Sequence, residues 1–178
     1  MIKQYLKIES IPAILWGGKS DKLFIAIHGN MSNKADDVIA IFAEEATAAG
    51  YQVLSFDLPE HGERKNEATL CKVQNCVRDL KLIMKYAKLV SENISIFACS
   101  MGAYFSLLAY EEEPLQQSIF LSPVVDMERM IGNMCDFDTV FSFAKRFNCD
   151  LQVMESGEHY FHTNEQLIYF KKWVKRWL

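Results

Sequence analysis

"ISIFACSMGAYFSLL", residues 94–108, decides how this chain reads. Ile94 to Cys99 is a short apolar run with small residues at its end, the signature of a buried strand. From Gly102 onward, large apolar residues recur at helical steps through Tyr104, Phe105 and Leu108. A strand therefore meets a helix at Ser100. Serine is a good helix N-cap, and on that reading Ser100 is punctuation. On the other reading the turn presents a hydroxyl for chemistry. The ends of the other strands decide between the two.

Working outward, "KLFIAI" (22–27) is a second run apolar enough to be buried on both faces. "KADDVIAIFAEEATAAG" (34–50) follows as a helix with Val38, Ile41, Phe42 and Ala49 on its apolar face, acids Asp36 and Asp37 in its first turn and Gly50 as its stop. "YQVLSFD" (51–57) is a strand. "VQNCVRDLKLIMKYAKLV" (73–90) is a helix whose Val73, Cys76, Val77, Leu80, Ile83, Met84 and Ala87 repeat every three or four residues. Beyond the central stretch come a strand "QSIFLSP" (117–123), a short helix "TVFSFAKRF" (139–147), a strand "DLQVMES" (150–156) and a terminal helix "NEQLIYFKKWVKRWL" (164–178). At the start, "QYLKI" (4–8) and "AILWG" (13–17) form a hairpin at a sheet edge, where Pro12 is tolerated. The alternation predicts one α/β domain over 1–178, a mostly parallel sheet with helices on both faces.

Composition narrows the function. A net charge of −4 without a basic run argues against a nucleic-acid partner. No apolar run approaches the ~20 residues of a membrane span, and "MIKQYLKIES" has no signal-peptide core. The five cysteines, at 71, 76, 99, 135 and 149, are odd in number and include no C-x-x-C. They predict a reduced, cytoplasmic setting, with Cys76 and Cys99 as packing residues. Nothing calls for a cofactor.

In parallel sheets chemistry gathers at the carboxyl ends of the strands. Four such ends are polar: "HGN" (28–30), "FDLPEHGER" (56–64), "CSMG" (99–102) and "SGEHYFH" (156–162). This set, in this order, resembles the α/β-hydrolase family of serine hydrolases, including its small carboxylesterase and serine aminopeptidase members, from Leu23 to the C-terminus. The family's nucleophile turn is G-x-S-x-G, strained and crowded, so residues two positions either side of the serine are small. Here it reads Ala98-Cys99-Ser100-Met101-Gly102, with alanine in place of the first glycine. The resemblance implies Ser100 as nucleophile and His159, after the last strand, as general base. It implies an oxyanion hole from the N–H of Met101 and that of Asn30 or Met31. "FDLPEHGER" resembles the family's D-x-P-G-H-G loop, with Glu60 for a glycine and with Asp57 and His61 as loop-fixing residues. His159 and His162 as a metal pair is the competing reading, without a third ligand in sight.

The pattern breaks at the acid. The family carries a lid, a penultimate strand and then the catalytic acid where this chain has only "VVDMERMIGNMCDFD" (124–138). Lid and penultimate strand are short or absent, or a segment is missing between Ile131 and Cys135. Asp126, Asp136 and Asp138 are the available acids, and Asp138 also suits a helix cap. The implied activity is hydrolysis of a small acyl substrate, an ester, thioester or amide. A binding protein with a degraded site is the alternative. Tyr104, Phe105 and Met31 suggest an apolar substrate pocket, though helix packing explains the aromatic pair equally well. The terminal helix either packs on the sheet or lies on a membrane surface through Leu167, Phe170, Trp173, Val174 and Trp177.

Overall fold

A computed structural model describes residues 1–126, 137–155 and 157–178. The strands are β1 (Lys3–Ile8), β2 (Ile11–Trp16), β3 (Lys22–Ile27), β4 (Gln52–Phe56), β5 (Asn93–Cys99) and β6 (Ser118–Leu121). The helices are α1 (Asp37–Ala48), α2 (Val73–Val90), α3 (Met101–Ala109), α4 (Phe137–Arg146) and α5 (Asn164–Val174). The sheet order is β1-β2-β4-β3-β5-β6. β1 and β2 pair antiparallel, β2 pairs antiparallel with β4, and β4, β3, β5 and β6 run parallel. The expected fold class is the observed one.

The side-chain period of a strand explains why both faces are covered. Leu23, Ile25 and Ile27 of β3 point into one core with Leu80 and Ile83 of α2 and Phe105 of α3. Phe24 and Ala26 point into the other, with Phe42 of α1 and Phe170 of α5. The Phe42 and Phe97 rings stack at 4.0 Å between centroids, and Phe97 meets Phe170 at 5.7 Å. Burying an aromatic ring of this kind is worth roughly 1.5–3 kcal/mol before entropy.

Three details depart from the sequence reading. Pro12 lies in β2, which is an inner strand: its carbonyl accepts from the Asp57 N–H at 3.0 Å, and where its own missing N–H would have answered, Arg64 Nη1 donates to the Asp57 carbonyl at 3.2 Å. α1 starts at Asp37 instead of Lys34, because the Lys34 backbone is engaged elsewhere: its N–H donates to Asp57 Oδ1 at 2.9 Å and its carbonyl accepts from the Ser55 hydroxyl at 2.7 Å. Residues 150–155 form no strand. Among the described residues no strand lies beyond β6, so nothing offers them a hydrogen-bonding ladder.

The terminal helix packs on the sheet. Phe170 and Val174 are fully buried, with Leu167, Trp173 and Trp177 against the same core. Lys171 pairs with Glu44 and Glu45 of α1 at 3.2 and 3.0 Å. Among the described residues no helix is long and apolar enough to cross a membrane. The interval expected to hold the lid, the penultimate strand and Asp136 lies outside the described residues.

Candidate active site

β5 ends at Cys99 and α3 begins at Met101, so Ser100 alone makes the turn. Its φ of 50° and ψ of −120° are rare for any residue but glycine, and such strain costs about 1–3 kcal/mol. Backbone bonds hold it there. The Ser100 N–H donates to the Leu121 carbonyl at 3.0 Å, and its own carbonyl accepts from Ala103 and Val124, each at 3.1 Å. The turn is also crowded. A Cβ on residue 102 would stand 2.4 Å from the His28 carbonyl oxygen and 2.8 Å from Ile27 Cγ2. The absence of a side chain at 102 therefore answers a steric demand.

The Ser100 hydroxyl does not cap α3. It lies 2.7 Å from Nε2 of His159, 59 residues further along the chain. His159 is half-buried, and that burial holds its pKa below the ordinary histidine value. The neutral ring that results can accept the serine proton. His162 sits apart. Its Nδ1 is 2.8 Å from the Tyr160 carbonyl and 3.3 Å from Glu158. Among the described residues no group of three ligands could hold a metal ion.

The loop after β3 runs directly against this turn, since a Cβ on residue 29 would lie 3.0 Å from Ser100 Cβ. Met31 has a φ of 59° and a side chain 90% exposed. The N–H groups of Asn30, Met31 and Met101 donate to no other described residue. His28 stiffens the loop from below. Its Nδ1 lies 2.7 Å from the Gly29 carbonyl, and its Nε2 accepts from the Leu58 N–H at 3.1 Å. Burial pushes its pKa down to about 4, so it stays neutral.

Asp57, expected as a loop-fixing residue, is fully buried and accepts three hydrogen bonds. They come from Lys34 N–H at 2.9 Å, Lys34 Nζ at 2.6 Å and Glu63 N–H at 3.0 Å. His61 lies beside it in the same segment, with Nδ1 2.8 Å from the Pro59 carbonyl and Nε2 3.2 Å from Asn30 Oδ1. The Cys71 thiol raises the His61 pKa against the opposing effect of burial. The sequence reading passed over Lys34, Arg64 and Asp79. Arg64 and Asp79 form a buried pair at 2.7 Å, and that pair left a trace. Asp79 falls three residues after Cys76 and four before Ile83, on the apolar stripe of α2. A carboxylate placed there requires a buried cation.

A cavity of about 200 Å³ opens beside His159, walled by Phe120, Val124, Val153, Met154 and Phe161 among others. The pocket suggested by Tyr104, Phe105 and Met31 is not this one. Tyr104 and Phe105 pack against the α2 side of the sheet, and Met31 faces outward. Of the three candidate acids, Asp126 shares the cavity wall with His159. Asp138 is exposed in the first turn of α4, inside the helix and not at its cap. Asp136 lies outside the described residues. Among the described residues no carboxylate accepts a hydrogen bond from His159.

Comparisons with known proteins agree with this fold. A search of curated proteins finds no match. Among solved structures, the chain resembles an α/β serine hydrolase without a lid from Xanthomonas campestris, at 16% identity and a TM-score of 0.80, over 99% of this chain and 95% of that one. An α/β serine hydrolase homologue from Coxiella burnetii matches at 16% identity and a TM-score of 0.77, over 99% and 97%. Est1E from Butyrivibrio proteoclasticus, with ferulic acid bound, matches at 22% identity and a TM-score of 0.58, over 67% of this chain. The chain spans 52% of the length of Est1E. These likenesses establish the fold. The profile of the family described as "Serine aminopeptidase, S33" matches residues 18–169, most of the sequence, and the chain accordingly belongs to that family of α/β hydrolases.

Proposed function

We propose that the protein is a serine hydrolase of carboxylesterase type, acting on a small acyl substrate through an acyl-enzyme on Ser100. The observation that carries this reading is the 2.7 Å contact between the half-buried hydroxyl of a strained turn and an imidazole whose pKa burial lowers. Ser100 Oγ attacks the carbonyl carbon while His159 Nε2 takes its proton. The N–H groups of Met101 and of Asn30 or Met31 hold the oxyanion, each such donor lowering the barrier by roughly 3–4 kcal/mol. His159 then returns the proton to the leaving group. Water attacks the acyl-enzyme with His159 again as base, which releases the acid and restores Ser100. Amides and thioesters would use the same groups, so the fold does not choose among them. No resident cofactor enters these steps, and a cytoplasmic setting fits the cysteine usage.

A second reading has one observation behind it. No described carboxylate orients His159, which favours a weakly active or purely binding protein. Labelling with a fluorophosphonate probe separates the two readings. The expected result is one adduct by intact mass on the parent protein and none on Ser100→Ala, followed by turnover on a panel of esters of graded chain length. No adduct on the folded parent, with a reactive hydrolase labelled alongside, would sink the enzyme reading.

A further inference from the structure

Cys71 and Cys76 meet where an exposed loop, residues 65–70, enters α2. Cys71 lies two residues before the helix and is half-buried, whereas Cys76 is fully buried within the helix. Their sulfur atoms are 3.6 Å apart. The Cys71 N–H donates to Glu60 Oε2 at 2.6 Å, and the Cys76 N–H donates to the Lys72 carbonyl at 2.9 Å, the first bond of the helix. The two thiols are therefore positioned by separate backbone anchors, one in the loop and one in the helix. The reading of Cys76 as a packing residue accounts for its burial but not for this contact.

The surroundings divide the labour between the sulfurs. A hydrogen bond from Cys76, and then the neighbouring His61 ring, draw the Cys71 thiol down to about 5 against the opposing effect of burial. The same contact and burial push Cys76 up. Cys71 is thus the more acidic of the two thiols, and it is the one reached from solvent. Cys76 is the protonated neighbour behind it. A solvent-accessible thiolate beside a second thiol is the arrangement that oxidants find first.

We propose that Cys71 and Cys76 are a peroxide-oxidisable pair that closes to a reversible disulfide. In the first step the Cys71 thiolate attacks the terminal oxygen of a hydroperoxide. The O–O bond breaks, the leaving oxygen takes a proton and departs as the alcohol or water, and Cys71 becomes a sulfenic acid. In the second step Cys76 gives up its proton and attacks Cys71 Sγ, the S–O bond breaks and water leaves. The peroxide gains two electrons and the two thiols lose them. Exchange with an external dithiol reverses the second step's product to two thiols. Closing the sulfurs from 3.6 Å to the ~2.0 Å of a disulfide requires movement. That movement falls on the non-helical segment around Cys71, whose loop is exposed, and leaves α2 in place.

The test is thiol mapping on the full chain. The protein is treated with one equivalent of hydrogen peroxide, denatured, blocked with N-ethylmaleimide and analysed by intact mass and peptide mapping. The expected result is that two of the five cysteines escape blocking, that the 71- and 76-containing sequences carry the link, and that dithiothreitol restores all five. Cys76→Ser should leave a sulfenic acid at Cys71 that dimedone traps, and Cys71→Ser should leave Cys76 unoxidised. Oxidation of the exposed Cys149 ahead of a pair that stays fully blockable would overturn the proposal. So would a disulfide that joins either residue to a different cysteine. The parent protein alone decides these outcomes if a variant fails to fold.

Discussion

Lys34 Nζ stands 2.6 Å from Asp57 Oδ2, and the two side chains are 7% and 0% exposed. This buried ion pair ties the loop after β3, which carries Asn30 and Met31, to the loop after β4. Burial opposes the charge on Lys34, but the hydrogen bonds to Asp57 and Glu63 outweigh it and hold its pKa above the ordinary lysine value. Removing one partner leaves the other charge buried and uncompensated, which costs about 3–5 kcal/mol. Lys34→Met should therefore lower the unfolding free energy by about 3 kcal/mol or more. Denaturant titration checks this. A change within ~0.5 kcal/mol, the range of ordinary surface substitutions, would show that the pair does not hold the loops together.

Gly102→Ala tests the crowding at the nucleophile turn. Inside an ordinary helix this exchange stabilises by about 1 kcal/mol. Here the new methyl would sit 2.4 Å from the His28 carbonyl oxygen, so the backbone of β3 or α3 must shift. The expected sign is reversed, a destabilisation of about 1–3 kcal/mol as in other overpacked sites, together with loss of fluorophosphonate labelling at Ser100. A stabilised, normally labelled variant would contradict the strained-turn geometry.

His28 makes stability depend on pH in a calculable direction. Its pKa is lowered from 6.5 to about 4 by burial. Between those values the unfolded chain binds a proton that the folded chain refuses, so stability falls as pH drops through this window. Going from pH 7 to pH 5 should cost about 2 kcal/mol from this residue, at 1.36 kcal/mol per unit. His28→Asn should lose that much of the pH increment, whatever its absolute stability. Equal pH slopes in parent and variant, measured by urea unfolding, would assign the acid sensitivity elsewhere.

The activity itself should have an acid limb set by His159. Because burial lowers its pKa below 6.5, the base form persists under mildly acidic conditions, and kcat/KM should fall only as pH drops below that value. His159→Gln should abolish the limb and reduce kcat by at least about 10³-fold, since serine and histidine act as one unit. A pH–rate profile over the acidic range on a soluble ester measures both. An acid limb centred above 6.5 would point to a titrating group other than this imidazole.

Local pattern carried much of this protein. The unbroken apolar run of "KLFIAI" and the three- and four-residue steps of "VQNCVRDLKLIM" report burial directly, the first because both faces of a strand are covered and the second because one face of a helix is. The strand-to-helix junction at Ser100, with small residues at 98 and 102, was legible for the same reason. What tertiary structure alone decided is which distant groups meet. The Lys34–Asp57 pair spans 23 residues and no pattern in the sequence encodes it, whereas the Ser100–His159 contact over 59 residues is expected from the family resemblance and not from periodicity. Nor did periodicity reveal that residues 150–155 would form no strand. Their apolar residues satisfy the pattern, but a strand exists only where a neighbour supplies the hydrogen-bonding ladder, and the described sheet ends at β6.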